Sequence, residues 1–237
     1  MPAGESWMRK QLVVVLLAIA ILATLPVARA QSADSRDSSS SNLVTPEPDW
    51  TYQRPTPKTQ FRNYLFDTFG PYPIVGSALA AGINQAQDTP PEWQQGAKGY
   101  GERFASSFGI AEVSTTTRYV VAKAFREDTL YYLCECKGVF PRLRHAVIST
   151  LVARRGDDGH RVFSFPALVA PYAGTMTAVY AWYPGRYNAS DGFRMGNYAL
   201  LASAGGNIAI EFLYRGTHSW LSRVHLNSGR GTPGPQR

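Results

Sequence analysis

The residues that could carry chemistry are few. His145 lies close to Arg142 and Arg144, with Asp128 upstream. A histidine oriented by a carboxylate is a minimal acid–base pair, and a nearby arginine could hold a developing negative charge. Asp128, Arg142 and His145 are therefore the candidates for a hydrolytic site, with Glu211 as another possible orienting carboxylate. No H-E-x-x-H, G-x-S-x-G or phosphate-loop pattern accompanies them. The pair Cys134-Glu135-Cys136 is too close for an ordinary structural disulfide and lacks the second pair a zinc site needs. It reads as incidental thiols, or as thiols oxidised to an intrachain or intermolecular bridge. Gly96, Gly99 and Gly101 imitate part of a dinucleotide fingerprint, but they follow a helical signal rather than a strand. The sequence thus gives no reason to expect a metal or a cofactor.

The elements that must position these residues read as helical. Phe61, Leu65, Phe66 and Phe69 recur at helical spacing until Gly70-Pro71 stops them. Ile74 to Gln87 is an Ala/Gly-rich helix, with Gly76 and Gly82 as candidate packing positions. The segment from Trp93 to Phe108 looks broken by its glycines, and a further face runs from Val113 to Phe125. Residues 126–139 read as irregular, Pro141 opens another helix, and Arg154 to His160 reads as a loop because of Gly156-Asp-Asp-Gly159. The last third holds two charge-free runs, Val162–Gly185 and Met195–Ile210. They predict a helical hairpin over about 166–183 and 194–213. Its arms would meet through small residues: Ala170, Gly174 and Ala178 on the first, and Ala199, Ser203, Ala202 and Gly206 on the second. Asn207 and Glu211 share one face of the second arm and should turn inward to polar partners. The expected fold is all-α, a compact bundle of five or six helices with this hairpin at its C-terminal end.

The ends are different in kind. Arg9 and Lys10 precede the apolar run Leu12–Leu25, and Ala28-Arg29-Ala30 follows. That is the layout of a secretory signal peptide over residues 1–30. Residues 31–59, rich in Ser, Asp, Thr and Pro, predict a disordered lead segment. Residues 60–215 form the helical domain, and 216–237 a flexible basic tail. The chain has 237 residues, with 44% hydrophobic and only 17% charged, and a net charge of +7. Without Glu5, Arg9, Lys10 and Arg29, the exported part keeps 21 basic and 16 acidic residues, a net of +5. Nucleic acid is a poor partner for an exported protein. A mild positive balance suits anionic lipid or an envelope polymer better.

The stretch Pro90-Pro-Glu-Trp-Gln-Gln-Gly-Ala-Lys-Gly-Tyr-Gly-Glu-Arg103, continuing to Gly109, resembles a family of uncharacterised exported bacterial proteins. The resemblance extends upstream through Gly70–Gly82. Downstream it takes in Glu127, Asp128, Tyr131, Tyr132 and Arg144 to Val147. It covers about 60–215, and E-W-x-Q-G-A-x-G-Y is its specific part. Thr129 and Leu130 stand where the family has Pro and Arg. The resemblance implies export and a helical domain, and it supplies no catalytic residues. The expected function is a non-enzymatic helical protein of the periplasm or cell envelope, peripheral to or embedded in a membrane. The alternative is an exported hydrolase with its site near Asp128, Arg142 and His145.

Overall fold

Proline, glycine and side-chain caps set the helix boundaries of the chain. The computed structural model describes Tyr52 and residues 54–213, apart from Glu135. The signal peptide expected at 1–30, most of the expected lead segment and the expected tail at 216–237 lie outside these residues. Helix α1 (Pro57–Phe69) opens with Pro57 in its first turn, where a missing N–H costs nothing, and Thr56 Oγ1 accepts the Thr59 N–H at 3.3 Å. Gly70 then separates it from α2 (Pro71–Ala86), which again starts on proline. A short 3₁₀ turn, Pro91–Trp93, leads into α3 (Gly96–Phe125), a 30-residue helix that ends at Arg126 in the left-handed conformation. At 1.5 Å per residue α3 is roughly 45 Å long. It is the spine: α2 and α5 (Phe165–Ala181) pack along it, and α6 (Ala189–Leu213) packs on α5. The short helix α4 (Val139–Ile148) closes against α6.

The six α-helices found among the described residues are not alone. The fold is mostly helical, as expected, and the all-α reading lacks only a small three-stranded antiparallel sheet of β1 (Glu127–Asp128), β2 (Val152–Arg155) and β3 (His160–Phe163). Of the loop expected over Arg154–His160, residues 156–159 are a turn, while Arg154, Arg155 and His160 belong to strands. Together they form a hairpin whose tight turn uses Gly156 and Gly159 at φ of 74° and 65°, values glycine adopts without steric cost. β1 lies beside β2, with Glu127 opposite Arg155 and Asp128 opposite Arg154. An acidic dipeptide thus faces a basic one across the ladder.

Three further boundaries move. The first helix starts at Pro57, and Tyr52 and Arg54 already make contacts, so the end of the lead segment is ordered. The glycines at 96, 99 and 101 do not break α3, because they fall in its first two turns. A Cβ at Gly99 would run into the carbonyls of Trp93 and Gln94, so glycine there admits the preceding loop. The second hairpin arm starts at Ala189, not near 194, because Asp191 Oδ2 accepts the Asn188 N–H at 3.1 Å and ties down the first turn.

The packing stripe is half as expected. Gly174 and Ala178 are buried, but a Cβ at Gly174 would collide with Ser114 Oγ and the Ile110 carbonyl, so its partner is α3 and not the other arm. The arms meet instead where Gly192 and Gly196 of α6 admit Met176 and Tyr172 of α5. Gly76, Gly82 and Gly206 have open space where a Cβ would stand, and Ser203 is exposed with its hydroxyl on the Ala199 carbonyl, so these four are not packing positions.

What fills the interior is small or polar. The buried apolar set is mostly alanine: 81, 122, 146, 167, 170 and 178. Many large apolar side chains are exposed. On α1 the buried residues are Asn63 and Thr68, while Phe61, Leu65 and Phe69 are exposed. On α2 the buried residues are Ser77 and Ala81, while Ile74, Val75, Leu79 and Ile83 are exposed, Leu79 by 65%. Among the described residues no helix is long and apolar enough to cross a membrane.

Candidate functional site

The concavity with the richest chemistry has a volume of about 260 Å³ and lies among α3, β1, the segment after it, α4, the hairpin and α6. Asp128 is at its edge, and it is buried because β1 tucks against β2. Its carboxylate is fully engaged. Oδ2 accepts the hydroxyls of Tyr132 at 2.5 Å and Tyr52 at 3.1 Å, and Oδ1 accepts the Leu130 N–H at 3.0 Å. Burial first, then the Asp128 charge and this hydrogen bond, push both phenols well above their ordinary range. The ring of Tyr52 reaches Asp128 by lying over Gly159, where a Cβ would strike it. The Arg154 guanidinium stacks 4.8 Å from the Tyr132 ring centre and 5.3 Å from that of Tyr52.

Three arginines line this groove: Arg118 from α3, Arg154 from β2 and Arg161 from β3. Arg154 and Arg161 are direct cross-strand partners. Partners in a ladder project to the same face with Cβ atoms about 4.5–5.5 Å apart, and like charges placed so repel. Arg155, one residue on, is neutralised instead: it donates to Glu127 at 2.7 Å, and Glu127 also accepts the Ser164 hydroxyl at 2.6 Å. His145 faces the groove with Nε2 on the Tyr132 carbonyl at 2.9 Å. A carbonyl can only accept, so Nε2 carries a proton.

The structure does not bring Asp128, Arg142 and His145 together as a hydrolytic site. Arg142 turns away to Glu211, donating from Nε to Oε1 at 3.1 Å and from Nη2 to the Glu211 carbonyl, with its guanidinium 4.4 Å from the Phe212 ring centre. Glu211 is fully buried and also accepts the Tyr131 hydroxyl at 2.9 Å and the Cys134 N–H at 3.1 Å. It ties the last helix to α4 and to the segment after β1. Asn207, one turn earlier, donates to Thr150 Oγ1 at 3.1 Å. Asn207 and Glu211 therefore both have inward polar partners. Cys134 and Cys136 form an intrachain disulfide with their Cα atoms 5.1 Å apart. No group of three His, Cys, Asp or Glu side chains among the described residues could hold a metal ion.

The stretch 90–103 has a structural job. Arg103 is completely buried in α3. It donates to the carbonyls of Thr89, Pro90 and Gln94 at 2.9, 2.8 and 2.6 Å, to Gln85 Oε1 at 2.7 Å and to Asp88 Oδ1 at 3.3 Å. The whole α2–α3 loop is wrapped around one guanidinium. Nearby, Trp93 packs on Tyr183, Glu92 pairs with Arg186, and Trp182 donates to Ser106 Oγ at 2.9 Å, so the same loop anchors the turn of the hairpin.

Sequence reading missed Tyr132, Arg118 and Arg161 as groove residues, and Tyr52 as a partner of Asp128 at its edge. The available signal was the complementary pair Glu127-Asp128 and Arg154-Arg155, the second followed by a turn signature. Compared with models of protein families, with curated proteins and with solved structures, the chain matches none.

Proposed function

We propose that this chain is an exported helical protein of the cell envelope that lies on an anionic membrane surface through α1 and α2, in a binding rather than a catalytic role. One observation carries the reading: these two helices expose most of their large apolar side chains while burying Asn63, Thr68 and Ser77. Exposed apolar surface on this scale marks an interaction face. The charge pattern selects the occupant. On α1, Lys58 and Arg62 are exposed alongside Phe61, Leu65 and Phe69, and α2 carries no charged residue at all. Apolar side chains bordered by cations fit the boundary between acyl chains and anionic headgroups. The leader at 1–30 and the resemblance of 90–109 to exported bacterial proteins support the envelope setting. Arg142 is taken up by Glu211 and the Asp128 carboxylate by two phenols, which favours binding over hydrolysis.

Flotation of the full chain with phosphatidylglycerol vesicles and with phosphatidylcholine vesicles tests it. The chain should float with the anionic vesicles. Replacing Phe69 and Leu79 by serine should weaken this by about tenfold or more, since burying one large apolar side chain contributes roughly 1.5–3 kcal/mol. No flotation would overturn the reading, and a parent that forms dimers which the double variant dissolves would show that the face meets another copy instead. Export has its own test: the N-terminus recovered from the envelope should read Gln31-Ser-Ala-Asp, and retention of Leu12–Leu25 would defeat it.

A further inference from the structure

We infer that the groove between the β2–β3 hairpin and α6 is a binding site for a phosphate group, with Arg154 and Arg161 as its recognition pair. The inference stands on the groove alone and does not depend on the membrane reading. It begins with an unbalanced charge. Arg154 and Arg161 oppose each other in register and open into one cavity of about 260 Å³. Neither has an anionic partner within ion-pair distance among the described residues, and Arg161 makes no hydrogen bond there. Every other arginine of the sheet region has one: Arg155 has Glu127, and Arg126 and Arg54 have Asp157. A cross-strand pair of like charges is unfavourable in the free protein, and an anion between them would relieve it.

The nearest carboxylate does not supply that anion. Asp128 is the single acidic residue among those lining the groove, so its one negative charge offsets only part of the charge of three arginines, and its oxygens are already engaged by Tyr52, Tyr132 and the Leu130 N–H rather than by a guanidinium. The two phenols that cover it are the rings on which Arg154 stacks, so the arginine is held in place by its faces while its N–H edge remains available for a ligand. Arg118 lines the same cavity from α3, and His145, Ser149 and Asn207 add polar groups along the wall. Several guanidinium groups around a small concavity match an anion with three or more acceptor oxygens and more than one charge, and phosphate and its esters have that shape.

The ligand could be free phosphate or the phosphodiester of a lipid headgroup, so the full chain should be titrated calorimetrically with inorganic phosphate and, separately, with glycerophosphoglycerol, a soluble headgroup analogue. Arg161→Gln is the chief variant, because Arg161 is exposed and its loss leaves nothing buried unpaired. Arg161→Lys keeps the charge, and Arg186→Gln removes an arginine at the far hairpin turn. Saturable binding of either probe that Arg161→Gln weakens about tenfold, that Arg161→Lys largely restores and that Arg186→Gln leaves unchanged would establish the site, since a charge-assisted hydrogen bond to phosphate is roughly twice as strong as a neutral one. The probe that binds more tightly identifies the source. No saturable binding of either probe below about 10 mM, an affinity worth less than roughly 3 kcal/mol, would overturn the inference. Equal losses in Arg161→Gln and Arg186→Gln would overturn it too, because the effect would then be net charge alone.

Discussion

Arg103 and Arg161 show two fates of the same side chain. Arg103 is sealed inside α3 and the loop before it, and its donors meet three carbonyls, one amide oxygen and one carboxylate. Arg161 sits on a strand facing its like-charged partner Arg154, with a cavity in front and no hydrogen bond of its own among the described residues. A guanidinium whose donors are all used inside the protein holds a fold together. One that lines a concavity with its donors unused has capacity left for a ligand. The most distinctive stretch, 90–103, serves the loop around Arg103, whereas the groove is assembled from positions that look ordinary one at a time.

The largest expected effect lies at the sealed end. Arg103→Met keeps the volume of the side chain and removes every donor. The carbonyls of Thr89, Pro90 and Gln94 would be left facing an apolar group, and breaking a buried charged cluster of this kind typically costs about 3–5 kcal/mol. Denaturant unfolding of the variant should show a drop of that size, with the loop before α3 the first part to lose protection from hydrogen exchange. A loss below about 1 kcal/mol would mean that the loop is held by something other than Arg103. Arg161→Gln should change stability little, and that difference between the two arginines is the contrast in measurable form.

Helices α5 and α6 were legible because charge-free runs and small residues repeat locally, within one or two turns. The sheet was not. Its strands have two to four residues, and β1 pairs with β2 across more than twenty positions, so no period in the sequence connects Glu127 to Arg155. The groove was less legible still. Arg118, Asp128, His145, Arg161 and Asn207 come from five different elements, and only the closed fold makes them neighbours. Asp128 and His145 could be chosen by residue type. Arg142 was chosen by the same rule and belongs to Glu211. Residue type identifies groups able to do chemistry, but the partner each one meets depends on long-range packing. The packing stripe failed in the same way: Gly174 was recognisable as a close-approach site, yet the helix that approaches it is α3.

A middle-sized effect should come from the phenols around Asp128. Tyr132→Phe removes a hydrogen bond to a charged acceptor, a contribution of about 1.5–3 kcal/mol. It also changes the response to alkali. In the folded chain burial and the Asp128 charge raise the Tyr132 phenol above its usual value near 10, as they do for Tyr52. A raised folded value means that the unfolded chain releases its proton first. The stabilising contribution is complete below about pH 10 and falls as pH rises through the window above it. The parent should therefore lose stability steadily above about pH 10, and the Phe variant, weaker at neutral pH, should lose less over the same range. Tyrosinate absorbance followed alongside unfolding checks this directly. Parallel curves for the two proteins would show that Tyr132 carries no such burden in the folded state.

The smallest expected effect falls on the outward face of α2, and its smallness is the point. In an ordinary soluble bundle leucine is the residue whose truncation hurts, with losses of about 2–5 kcal/mol on going to alanine. Leu79 is 65% exposed, and the buried positions of its helix are Ser77 and Ala81. Leu79→Ser should then leave the unfolding midpoint of the chain in solution within about 0.5 kcal/mol of the parent, as surface substitutions do. Ala81→Leu, three methylenes larger at a position with no exposure, should cost about 1–3 kcal/mol through overpacking. The larger, more apolar residue would be the harmful one on the inside, and its removal harmless on the outside. A substantial loss from Leu79→Ser in dilute solution would mean that Leu79 is covered there, by a second copy of the chain or by a segment of it. A loss that appears only when anionic vesicles are present would place the apolar residues of α2 against lipid.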